Sequence, residues 1–159
     1  MGILIQGGRV VDAASQMDKI ADVYLDGCVI QEIGEKLKVK DKDDRIIDAR
    51  GMVVMPGLVD LHVHFRDPGQ TEKEDIESGS KAAARGGVTT VVAMPNTTPV
   101  IDCPDRANYV KNKAAQVSPI HVLQAGAMTK GELGCELSDI AGMAAAGVPV
   151  LSEDGKSVM

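Results

Sequence analysis

Tryptophan is missing from this chain and phenylalanine occurs only once, so any core must be aliphatic, built from Val, Ile, Leu, Ala and Met. Cysteine is scarce as well. Cys28, Cys103 and Cys135 are an odd number with no C-x-x-C spacing, which argues against a disulfide framework or a zinc ribbon and for a reducing compartment. No apolar run approaches the ~18 residues needed to span a bilayer. The first residues, Met1-Gly2-Ile3-Leu4-Ile5, form neither a basic n-region nor a long apolar h-region, so the expected location is cytoplasmic. Basic charge is in deficit: 17 Lys plus Arg against 23 Asp plus Glu leave a net charge of −6, which speaks against a nucleic-acid or membrane-surface partner. What remains is a globular composition, 44% hydrophobic and 25% charged over 159 residues.

The first 56 residues read as a β-rich segment. Short runs such as Ile3-Leu4-Ile5, Arg9-Val10-Val11, Ala21 to Leu25, Cys28-Val29-Ile30 and Arg45-Ile46-Ile47 favour strands, and Asp26-Gly27 marks a tight hairpin turn. Lys36 to Asp44 is a charged, solvated loop or hairpin tip. Gly51 to Met55 is a last strand closed by Pro56-Gly57, which sets the boundary between 1–56 and 57–159. Beyond it strand and helix alternate: a strand over Leu58–His64, a helix opened by a Thr71/Glu74 capping box and ended by Gly86-Gly87, and a strand over Val88–Met94. A helix with Pro104 in its first turn, a strand over Ile120–Ala125, a short helix over Ser138–Ala146 and a fourth strand over Val148–Leu151 complete the series. This spacing predicts an α/β fold of parallel βα units with right-handed crossovers.

The chemistry concentrates at strand ends. In Asp60-Leu61-His62-Val63-His64, side-chain alternation sends Val59, Leu61 and Val63 to one face, suited to lie under helices, and Asp60, His62 and His64 to the other. A carboxylate and two imidazoles on an interior face need a partner, and a metal shared by the ring nitrogens meets that need. Arg66 leaves the same strand end and offers a two-pronged donor for a carboxylate, although an ion pair with Asp67 is an equal reading. Asn96 emerges after the second strand, either as a ligand contact or as a turn residue beside proline. Glu153 and Asp154 follow the fourth strand, either as a hard oxygen ligand or as an acidic turn. His121 begins the third strand, at the opposite end, and reads as structural. No phosphate-binding glycine loop is present.

The run Pro56-Gly57-Leu58-Val59-Asp60-Leu61-His62-Val63-His64, with Arg66-Asp67-Pro68-Gly69, Met94-Pro95-Asn96-Thr97 and Glu153-Asp154-Gly155, resembles the bacterial type I dihydroorotases of the amidohydrolase superfamily. The resemblance implies the first four βα units of a TIM-like barrel, incomplete and preceded by a small N-terminal β-sandwich segment. It implies that His62 and His64 bind a first zinc ion and that Asp154 bridges it to a second. Glu153, at the other acidic position, departs from the family's Asp. Arg66 and Asn96 would hold the substrate carboxylate, with His64 and Phe65 beside it. The implied reaction is the reversible conversion of N-carbamoyl-L-aspartate to (S)-dihydroorotate in pyrimidine synthesis. A closed barrel takes ~250 residues, so the two further histidines and the catalytic aspartate of the family are expected beyond Met159, and the chain alone is expected to be inactive.

Three other readings remain open at this point. One is a hydantoinase- or allantoinase-type cyclic-amide hydrolase. Another is a non-catalytic dihydroorotase-like subunit that partners aspartate transcarbamoylase. The third is an independent binding domain with packed histidines. A homodimer is a further possible assembly.

Overall fold

The computed structural model describes residues 1–158, which divide into two compact units, Met1–Pro56 and Gly57 onward. In the first unit, β1 (Gly2–Asp12) is the central strand. β2 (Met17–Asp26) runs antiparallel to it and is followed by β3 (Val29–Gly34), antiparallel to β2. On its other side β1 pairs in parallel with β4 (Arg45–Asp48) and, farther along, with β5 (Val53–Val54). The runs at Ile3 and Arg9 are therefore one strand. Ile5 pairs with Val23 but Gly8 with Ala21, so β1 carries one extra residue at a bulge. Gly7 accepts the positive φ of 71° there, and its N–H donates to Asp22 Oδ1 at 2.8 Å.

All five strands belong to one sheet. The expected sandwich segment is thus a single sheet within residues 1–56, whereas a sandwich pairs two sheets face to face. Val10, Ala21 and Val23 are buried on one face with Ile5, Leu25, Ile33 and Val54 around them, whereas Ile20, Ile30, Ile46 and Val53 are exposed. The charged loop after β3 is organised by Asp44, whose carboxylate accepts from Gly2 N (2.6 Å), the Tyr24 hydroxyl (2.8 Å), and the amides of Lys40 and Asp41 (2.9 Å each).

The second unit is α/β. Three parallel strands, β6 (Leu58–Val63), β7 (Val88–Ala93) and β8 (His121–Gln124), lie in chain order. Their connections carry α1 (Ile76–Arg85) and α2 (Pro104–Val117), and α3 (Ile140–Ala145) follows β8. Alternation along β7 divides its residues between two clusters. Val91 and Ala93 join Phe65, Ile76, Ile101, Ala107 and Val110, and Val92 packs with Met94 and Ala125.

Three expectations need correction. The first helix is capped not by Thr71 but by Asp75, which accepts from Ser78 N at 2.7 Å while Asp75 N donates to Ser78 Oγ at 3.3 Å. Turn bonds from Gln70 N to Arg66 O and from Lys73 N to Gln70 O already occupy the preceding backbone. The fourth strand shrinks to one parallel bridge, Gly126 to Leu151, made by Gly126 N to Val150 O (3.0 Å) and Ser152 N to Gly126 O (2.9 Å). It meets the sheet only after β8 has ended. Finally, Val63 packs on the core, but Val59 and Leu61 are 59% and 69% exposed, because α1 packs on β7 and α2 on β8, leaving β6 uncovered.

Candidate metal centre

The site is assembled at the C-terminal ends of the parallel strands. Asp60 pairs with Val91 and Val63 with Ala93, so β6 holds one more residue than β7 across this stretch. The surplus falls at Leu61-His62, where His62 N donates to the Asp60 carboxylate (3.1 Å). Such a bulge re-aims side chains beside functional sites. Here His62 Nε2 and His64 Nε2 end 3.3 Å apart, with the rings 68° from coplanar.

Asp154 arrives from the segment after the Leu151 bridge. It sits at φ 44°, in the left-handed region that a short polar side chain tolerates, and its N–H donates to Ser152 Oγ at 3.0 Å. Its Oδ1 lies 3.1 Å from His62 Nε2 and 3.9 Å from His64 Nε2, and the side chain is 11% exposed. One ligand atom from each of His62, His64 and Asp154 lies within 4.8 Å of the other two. Asp60, placed on the same face by alternation, is outside this group.

Glu153 turns the opposite way. Its buried carboxylate accepts from the amides of Met128 (2.9 Å) and Thr129 (3.2 Å) and from the Thr129 hydroxyl, tying down the loop after β8. Of the two adjacent acids, one is consumed by the fold and the other faces the imidazoles.

Asn96, after β7, stands between the groups. Its Oδ1 is 3.0 Å from His64 Nδ1, and its Nδ2 donates to Asp154 Oδ2. An amide oxygen only accepts, so His64 presents Nδ1–H to it, and in the neutral imidazole Nε2 is then the lone pair aimed at the shared point. Three electron-rich atoms converging in this way suit a cation, and the mix of two imidazole nitrogens and a carboxylate oxygen suits zinc.

Arg66 follows with φ 60° and has no ion-pair partner among the described residues. The competing ion pair with Asp67 is not formed, because Asp67 is turned into the interior and bound by Tyr109 and Lys113 of α2. The Phe65 ring is buried in the helix-side core, where a Cβ on Gly79 would meet it at 2.5 Å. His121 lies exposed at the start of β8, away from the strand ends that carry the site. Sequence reading missed Gln124, a buried amide that donates to the carbonyls of Ala93 (3.0 Å) and Ala125 (2.8 Å) across the ends of β7 and β8. Its position at a strand end was the available signal.

The layout is one of parallel strands whose ends gather a His-x-His pair facing a carboxylate. Solved structures similar to the chain include the L-hydantoinase (dihydropyrimidinase) from Arthrobacter aurescens, at TM-score 0.70 and 29% identity over 80% of this chain and 28% of that one. The D-hydantoinase (dihydropyrimidinase) from Thermus sp. matches at TM-score 0.70 and 29% identity over 90% of this chain and 30% of its own.

The chain belongs to the dihydro-orotase-like family, whose match covers residues 51–159. Among curated relatives, the dihydroorotase of Clostridioides difficile is 54% identical over 99% of this chain, and that of Aquifex aeolicus is 41% identical over the same share. The chain spans 37% of the length of each of these relatives.

Proposed function

We propose that this chain is the metal-holding N-terminal portion of a zinc-dependent dihydroorotase, which interconverts N-carbamoyl-L-aspartate and (S)-dihydroorotate in pyrimidine synthesis. The convergence of His62, His64 and Asp154 within a chain of this family carries the reading. Dihydroorotase is preferred to a hydantoinase or allantoinase because the curated relatives are 41–54% identical, against 29% for the solved hydantoinases. A non-catalytic partner of aspartate transcarbamoylase is disfavoured by the retained ligand set.

In this reading the three-stranded sheet is part of a (β/α) barrel, and His62, His64 and Asp154 are the residues of this chain that would hold zinc. Zinc bound there would polarise an amide carbonyl and lower the pKa of water to near neutrality. The chain's own residues perform the remaining tasks. Arg66, without an ion-pair partner among the described residues, binds the substrate carboxylate through its two-pronged donor face. The second N–H of the Asn96 amide is available to the same carboxylate. The proton-transferring acid and the remaining ligands of the second metal come from outside residues 1–159. The substrate is a small molecule, the setting is cytoplasmic, and no nucleic acid or membrane takes part.

The test is an assay of the full-length, zinc-loaded protein in both reaction directions, with His62→Ala and Asp154→Asn beside it. Turnover of dihydroorotate that both variants abolish, with hydantoin and allantoin inert, supports the proposal. Preferential turnover of hydantoin or allantoin, or wild-type rates in both variants, overturns it.

A further inference from the structure

We propose that Asn96 is a positioning residue that pre-sets the metal ligands, locking the His64 tautomer and the Asp154 orientation through a single amide. The inference rests on the reading of His62, His64 and Asp154 as ligands. It assigns Asn96 a role separate from any contact with substrate.

An imidazole can offer either nitrogen to a metal, and the hydrogen bond made by the other nitrogen decides which. His64 Nδ1 lies 3.0 Å from Asn96 Oδ1, an atom that cannot donate. In the neutral ring Nδ1 therefore carries the hydrogen and Nε2 the lone pair, 3.3 Å from His62 Nε2 and 3.9 Å from Asp154 Oδ1. The other end of the amide donates to Asp154 Oδ2, which turns Oδ1 toward His62 at 3.1 Å. One residue thus fixes two ligands contributed by segments far apart in the chain, β6 and the turn after Leu151. The loop around Asn96 is braced by its own turn, in which Thr97 N donates to Pro95 O (2.8 Å) and the Thr97 hydroxyl to Pro99 O (2.7 Å). Leu or Val would not serve, because neither can accept from one ligand and donate to another. Asp would serve half the purpose: it accepts from Nδ1–H but repels Asp154.

The test measures zinc affinity of the full-length protein by competition with a chelator, with circular dichroism to verify the fold of each variant. Groups that orient metal ligands typically contribute about 10–100-fold in affinity. We expect Asn96→Ala to weaken zinc binding by that factor and Asn96→Asp to weaken it less. We also expect Asn96→Ala to have little further effect in a His64→Ala/Asp154→Ala background, because a residue acting through its partners couples to them. Undiminished affinity in Asn96→Ala, an equal loss in Asn96→Asp, or an additive loss in the combined variant overturns the role. His62→Ala separates the two levels. If it leaves zinc affinity unchanged, the metal centre itself fails and the inference falls with it. If it abolishes binding while Asn96→Ala does not weaken it, only the role of Asn96 fails.

Discussion

Asp67 Oδ2 lies 2.5 Å from Lys113 Nζ, with the aspartate side chain fully buried and the lysine 34% exposed. The Tyr109 hydroxyl, one turn earlier on α2, donates to Asp67 Oδ1 at 3.0 Å. Contact with Asp67 raises the Lys113 ammonium above its ordinary pKa. The pair joins the loop that carries Arg66 to α2. Removing one partner of a buried pair strands the other, but Lys113 can reach water, so Asp67→Ala should cost only about 1–3 kcal/mol. Urea unfolding of the full-length protein checks this, and an unchanged midpoint would contradict it.

Gly69 makes the same loop intolerant of side chains. It sits at φ 88°, and a Cβ there would lie 1.7 Å from the Thr98 carbonyl oxygen. Gly69→Ala must therefore separate the loop carrying Arg66 from the loop carrying Asn96. We expect a loss of at least about 1–3 kcal/mol, read as a lower melting temperature, together with a raised KM for carbamoyl-aspartate. A variant indistinguishable from wild type in both would show that the two loops need not touch.

Arg66→Ala in the full-length enzyme should raise KM more than it lowers kcat. Loss of a charge-assisted contact of about 1.5–3 kcal/mol corresponds to roughly ten- to a hundredfold in binding. Steady-state kinetics decide the matter, and unchanged KM and kcat would remove Arg66 from the site.

The first unit should show a defined pH dependence. Backbone amides and the Tyr24 hydroxyl hold the Asp44 carboxyl well below its ordinary pKa. A depressed carboxylate stabilises the fold fully above its unfolded value of ~3.9 and loses that contribution as pH falls below it. Tyr24 shifts the other way, pushed up to about 12 chiefly by its hydrogen bond to Asp44. Its contribution is complete below the ordinary tyrosine pKa of ~10 and disappears as pH rises through the shifted value. Asp44→Asn should flatten the acid limb of a stability-against-pH curve for residues 1–56, and Tyr24→Phe the alkaline limb. Unaltered limbs would contradict the linkage.

Residues 1–159 expressed alone should lack dihydroorotase turnover and should self-associate. Leu58, Val59 and Leu61 of β6 are 50%, 59% and 69% exposed, and β6 and β8 end the sheet with unpaired edges among the described residues. Such edges and apolar surface favour association. Sedimentation velocity across a concentration series tests this, and a monodisperse monomer with turnover would refute both expectations.

Much of this organisation was legible in the sequence because it rests on local rules. Pro104 opens α2, Gly86 and Gly87 end α1, and the Asp26-Gly27 signal falls at the β2–β3 turn, each through backbone preferences that need no distant partner. The capping residue of α1 was misplaced because two stretches, Thr71–Glu74 and Asp75–Ser78, both offer capping chemistry. The turn between Arg66 and Lys73 decides between them. The bulge in β6 was hidden for a similar reason, since register is a property of two strands.

Residue type and spacing alone determined that two imidazoles leave one strand end, that an arginine, an asparagine and a pair of acids leave others, and that parallel βα units join them. Tertiary structure alone decided which groups remain free for chemistry. Glu153 is consumed by the amides of Met128 and Thr129, while its neighbour Asp154 faces the histidines. Asp67 is claimed by Lys113 and Tyr109, so Arg66 has no ion-pair partner among the described residues. A buried carboxylate must find donors, and which donors lie within reach depends on elements distant in sequence. That competition for partners is settled only when the chain folds.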